Sequence, residues 1–249
     1  MSASLHWLEV HGRCRSWIEG IVGKVPSPED LAPKAVPCGV LMQCSLRYAS
    51  DTLDAIATEL LAGRPLQAGV LTRTVFELAV RVRWASLHDE GWRRLAAYWV
   101  RKHKQSLEKL VKGYCDAEVV CRVDQALEDY RAFLKDVSCP QPGDFSQVLR
   151  QMVEKVEGGK NSEWSGLLYN GYRDLCRYAH ANMTVCAGGI PTPEIGVVLL
   201  NNVAYATIQF VEASRAAFDV AVSEGQLDQL YSLPGLVDEC VWKPEIQDV

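Results

Sequence analysis

Apolar residues recur every three to four positions along nearly the whole chain, and no convincing run of alternating strand residues interrupts them. The pattern predicts an all-α protein, an antiparallel multi-helix bundle. A first helix is expected over about Ser4 to Val22, and Pro26, Pro28, Pro33 and Pro37 then impose an extended linker, since each proline also restricts the residue before it. The core is expected to begin after that linker. A second helix runs from about Gly39 to Leu61, where Gly63, Arg64 and Pro65 stop it, and a third runs from Leu66 to about His88; so short a connection implies antiparallel neighbours. A fourth, basic helix ends near Gly113, and a fifth covers about Asp116 to Val137, closed by the Cys139 to Gly143 loop. Asp144 caps a short helix broken at Gly158, Gly159 and Lys160, and Ser162 caps the next segment. Gly188, Gly189, Pro191 and Pro193 form a loop before a long apolar helix from about Glu194 to Ser223. The expected organisation is an N-terminal helix and linker (1–37), a helical bundle (38–232) and an acidic, irregular tail (233–249).

With 249 residues, 48% of them hydrophobic, the chain can bury a substantial core. The opening residues are interrupted by His6, Glu9, His11, Arg13 and Arg15, so no secretory leader is read there and a cytoplasmic protein is expected. The longest apolar stretch, Ile195 to Ala213, carries Asn201, Asn202, Gln209 and Glu212, which favours a buried helix over a membrane span. Nine cysteines without a C-x-x-C, and five histidines without a Glu-x-x-His, give no metal or redox motif, and no cofactor is expected. The cysteines read mostly as buried thiols; Cys176, beside Arg177 and near Arg173, has thiolate character as its alternative. Gly158 to Ser162 lacks the spacing and hydroxyl of a phosphate loop.

The net charge of −5 argues against a generally nucleic-acid-binding surface, but the charge is unevenly distributed. Between Trp92 and Gly113 lie Arg93, Arg94, Arg101, Lys102, Lys104, Lys109 and Lys112 against the single acid Glu108, while beyond Asp219 the only base is Lys243. The basic helix is a solvated face, a partner for the acidic tail, or a surface for an anionic partner. A second polar feature is Tyr169 to Asn182, where Arg173 and His180 stand seven residues apart and share a helix face with Arg177 between them. Like charges one turn apart cost roughly a few tenths of a kcal/mol, so an anion over that face is expected, from the protein or from a ligand. Arg73 and Glu77, one turn apart in an apolar helix, either pair locally or offer Glu77 to Arg173 or Arg177. Tyr169, Tyr172 and Tyr178 read as core or as base-stacking rings, and His180 as a helix C-cap or a reactive imidazole.

Arg173-x6-His180 with Asp174 after the arginine, together with the upstream Arg73-x-x-x-Glu77 helix, resembles the R-x(4–6)-H signature of the HEPN superfamily over about residues 40 to 220. The resemblance implies a metal-independent endoribonuclease, of the kind found among toxins and antiviral defence effectors, with arginine and histidine at a homodimer cleft. It makes His180 the acid or base near the ribose 2′-hydroxyl and Arg173 the phosphate ligand, with Asp174, Arg177, Asn182, Glu77 and Arg73 supporting. RNA or a nucleotide is then the expected partner, with an inhibitory antitoxin as a further one. Other HEPN proteins are binding or interaction modules, and the same cluster also suits an anion-binding or structural role.

Overall fold

Helix signals in the sequence place most element boundaries, and proline and glycine account for where the boundaries move. The computed structural model of the chain describes residues 6–32, 36–88, 91–114, 125, 128, 152–153, 156, 169–173, 175–176, 193–238 and 240. These form an all-α bundle: α1 (Trp7–Val22), α2 (Val36–Leu61), α3 (Pro65–Ser86), α4 (Gly91–Tyr114), α5 (Pro193–Phe218), α6 (Glu224–Tyr231) and α7 (Leu233–Asp238), with no strand among the described residues. The expected fifth helix, the Cys139 to Gly143 loop, the Asp144 and Ser162 caps, and the glycine breaks at 158–159 and 188–189 lie outside the described residues, although Gln125, Glu128, Met152, Val153 and Val156 are helical.

Contrary to the expectation that the core starts after the linker, α1 is part of it. Trp7, Val10, Cys14, Ile18 and Ile21 repeat at helical spacing and are buried, and α1 packs on α5, α2 and α7. Between α1 and α2, residues Pro28–Asp30 form a 3-10 turn, and α2 begins at Val36, ahead of Gly39. Pro37 is accommodated because the first turn of a helix leaves its amides without intrahelical acceptors, so a missing N–H costs nothing there. Gly63, at φ 70°, takes the left-handed turn after α2, and Pro65 opens α3.

The long apolar helix ends earlier than expected. Asp219 has φ 49°, which breaks α5 after Phe218, and Ser223 starts a new helix: its hydroxyl accepts from Gln226 N–H while Gln226 Oε1 accepts from Ser223 N–H. The expected irregular tail is likewise corrected at its start. Pro234 sits in the first turn of α7, where proline fits, and Leu233 and Val237, one turn apart, are buried against the bundle.

The packing centres on α3 against α5, with α2 beside α3 and α1 against both α5 and α2. Phe76, Phe210, Met42, Leu46, Leu53, Ile56 and Leu199 fill the interior. The segment Ile195–Phe218 is long and apolar enough to cross a bilayer, yet 67% of its apolar window is buried within the bundle. Its buried Thr207 and Ser214 return their hydroxyls to the carbonyls of Val203 and Phe210, one turn back. The cysteines depart from expectation: of the five described, only Cys14 is fully buried, where burial pushes its thiol up to about 12, and Cys44 is exposed.

Candidate functional site

Arg73, Glu77 and Arg81 follow one another at intervals of four along α3, so all three lie on one stripe of the helix. Arg73 Nε donates to Glu77 Oε1 at 2.8 Å and Arg81 Nη2 donates to Glu77 Oε2 at 3.0 Å. Both oxygens of one carboxylate are thus held by guanidinium groups. All three side chains are mostly withdrawn from water, with exposures of 22%, 19% and 24% in chain order. Such withdrawal is tolerable because the charges are paired, and charge-assisted bonds of this kind are stronger than neutral ones. The trio keeps one net positive charge.

The segment that carries Arg173 meets this stripe through Tyr172. Its hydroxyl donates to Glu77 Oε1 at 3.1 Å and accepts from Arg73 Nη2 at 3.2 Å. The ring lies 5.5 Å from the Arg73 guanidinium carbon and stacks on Phe76, with centroids 6.2 Å apart and planes inclined by 19°. Tyr172 is therefore an apolar side chain with a polar tip between two charges, its ring packed against the core as one of the two readings of the tyrosines expected. Burial pushes the phenol's pKa upward, and its hydrogen bond with Cys176 and the Glu77 charge act in the same direction, so the hydroxyl keeps its proton. Burial opposes the Arg73 charge, but the hydrogen bond and charge of Glu77 outweigh it and hold the guanidinium above its ordinary value.

Backbone proximity makes this meeting possible. A Cβ on Gly171 would lie 3.0 Å from Asn202 Oδ1 and 3.2 Å from Nδ2, closer than the buried Asn202 allows without shifting. Asn202 is itself fixed, its amide donating to Val198 O at 2.8 Å. The glycine lets the Tyr172 segment approach α5 while Tyr172 reaches α3. On the other side of the stripe, Arg81 lies over the Tyr98 ring of α4 at 5.9 Å.

The local Arg73–Glu77 pair is present as the sequence suggested. Among the described residues Glu77 takes its cations from its own helix and not from Arg173, which is exposed. Asp174, Arg177, Tyr178, His180 and Asn182 lie outside the described residues. Sequence reasoning missed Arg81, although its spacing from Glu77 was legible, and it missed the bridging role of Tyr172, which no spacing announces. No cluster of three His, Cys, Asp or Glu side chains suited to a metal occurs among the described residues. Chemically, the described arginines can hold an anion.

No protein-family model matches this chain, and neither a curated protein nor a solved structure matches it.

Proposed function

We propose that the protein is a HEPN-like, metal-independent endoribonuclease acting as a homodimer, with Arg173 and His180 as the reacting pair and Arg73, Glu77 and Tyr172 as the frame that holds the Arg173 segment. The observation that carries this reading is the Tyr172 hydroxyl, bonded to both Arg73 and Glu77 while the next residue, Arg173, is exposed. The two helices whose residues resemble the superfamily thus converge. Arg173 can engage two phosphate oxygens and balance the charge that develops on them. His180 takes the 2′-hydroxyl proton, the 2′-oxygen attacks the phosphorus, and the 5′-oxygen leaves and takes a proton from water, giving a 2′,3′-cyclic phosphate and a 5′-hydroxyl end. Such an activity suits a toxin or defence effector, with an antitoxin as its natural inhibitor.

The test is incubation of a mixed RNA pool with the purified protein in EDTA, beside His180→Ala and Arg173→Ala variants whose folding is checked by circular dichroism. Cleavage to cyclic-phosphate ends by the wild type, lost in both variants, is the expected result. Equal cleavage by His180→Ala would remove the assignment. A second reading, a non-catalytic module in which the cluster binds a nucleotide or other anion or only holds the bundle, is favoured by the saturation of Glu77 with two arginines and a phenol. It predicts no cleavage by any form of the protein.

A further inference from the structure

Resting on the RNA-directed reading, we infer that α4 is a track for the RNA phosphate backbone, carrying a single strand away from Arg173. The path is continuous in side chains. Tyr172, beside exposed Arg173, touches Arg73; Arg73 and Arg81 share Glu77; and Arg81 lies on Tyr98 of α4. From Tyr98, helical spacing places Arg94, Arg101, Gln105 and Lys109 on the same side of α4. Gln105 and Lys109 are exposed, and Arg94 and Arg101 are partly exposed. Among the described side chains of this route Glu77 is the only carboxylate, and it is already shared between two arginines. At about 1.5 Å per residue the stripe runs roughly 12 Å along α3 and roughly 16 Å along α4 from Tyr98 to Lys109, long enough for several nucleotides.

One observation sets this face apart from an ordinary solvated one. The protein as a whole is acidic, yet Trp92 to Gly113 concentrates seven bases against one acid. A polyanion with repeated acceptors answers that local excess of positive charge.

The experiment uses the full chain and uncleavable 2′-O-methyl oligouridylates of roughly 6 and roughly 14 nucleotides, lengths chosen to span one site or the whole track. Binding is followed by fluorescence anisotropy in EDTA between about 50 and 200 mM salt. Arg101→Gln/Lys109→Gln is expected to reduce the log–log salt slope on the longer probe by about 1.4, two contacts at about 0.7 each, and to leave the shorter probe bound as by wild type. Arg173→Gln is expected to weaken both probes. If the double variant binds the longer probe with unchanged slope while Arg173→Gln weakens both, the track is refuted and the RNA-directed reading stands. If the wild type binds neither probe at the lowest salt, that reading fails and the track with it. Lys109→Glu, at an exposed position, is the second variant should the double one not fold; an unchanged slope for it on the longer probe likewise refutes the track.

Discussion

A single hydroxyl, that of Tyr172, joins two helices distant in sequence, and its removal separates framing from packing. Tyr172→Phe keeps the ring on Phe76 but removes one acceptor from Arg73 and one donor from Glu77; a loss of about 1 kcal/mol in urea denaturation is expected. Glu77→Gln leaves Arg73 and Arg81, both mostly withdrawn from water, without their shared anion, and is expected to cost more, about 2–3 kcal/mol after allowance for partial exposure. Equal, negligible losses would show that the cluster frames nothing. Gly171→Ala places a methyl against the Asn202 amide and is expected to cost about 1–3 kcal/mol, with an undisturbed melting curve counting against close approach there. At this scale the sequence was half legible. Positions four apart on one helix announce their own pairings, so Arg73 and Glu77 were readable and Arg81 was within reach. Tyr172 with Glu77, or Gly171 with Asn202, depend on how separate helices dock, and helical spacing carries no such information.

Helix ends tell a similar story one scale up. Ser223→Ala removes the hydroxyl half of the reciprocal cap that starts α6 and keeps the backbone N–H that donates to Gln226, for an expected loss of about 1 kcal/mol that a thermal scan can read. The sequence hid this boundary because the left-handed turn before it uses Asp219, where glycine would have signalled a stop, and it hid α7 because Pro234 reads as a breaker unless it is known to sit in a first turn. The junction of α1 with α2 supplies a pH dependence. His11 is buried, Nε2 has no partner among the described residues, and burial lowers its pKa against the opposing influence of the Leu53 backbone hydrogen bond and the Asp54 charge. The fold therefore holds neutral imidazole, and the unfolded chain takes up a proton first. The stability this provides is complete above the unfolded value near 6.5 and is lost as pH falls from there toward the lowered folded value. Melting temperatures at about pH 7.5 and about pH 5.5 are expected to differ more for wild type than for His11→Leu, and an equal difference in the two proteins would count against this role.

For the molecule as a whole, the all-α class was plain because helical periodicity persists through almost every segment, and the burial of the apolar helix α5 followed from the polar residues it carries. The place of α1 was not plain, since a proline-rich linker looks the same whether the helix before it docks or dangles. What decided it was the apolar stripe from Trp7 to Ile21, whose partners include α5 and α7, far along the chain. That arrangement has a consequence in time. At about 5–20 residues per second of synthesis, α1 leaves the ribosome on the order of ten to forty seconds before α5 exists to cover it. Throughout that interval the nascent chain offers an apolar stripe only partly covered by α2, a natural hold for a chaperone, and the bundle closes only when its far end is made.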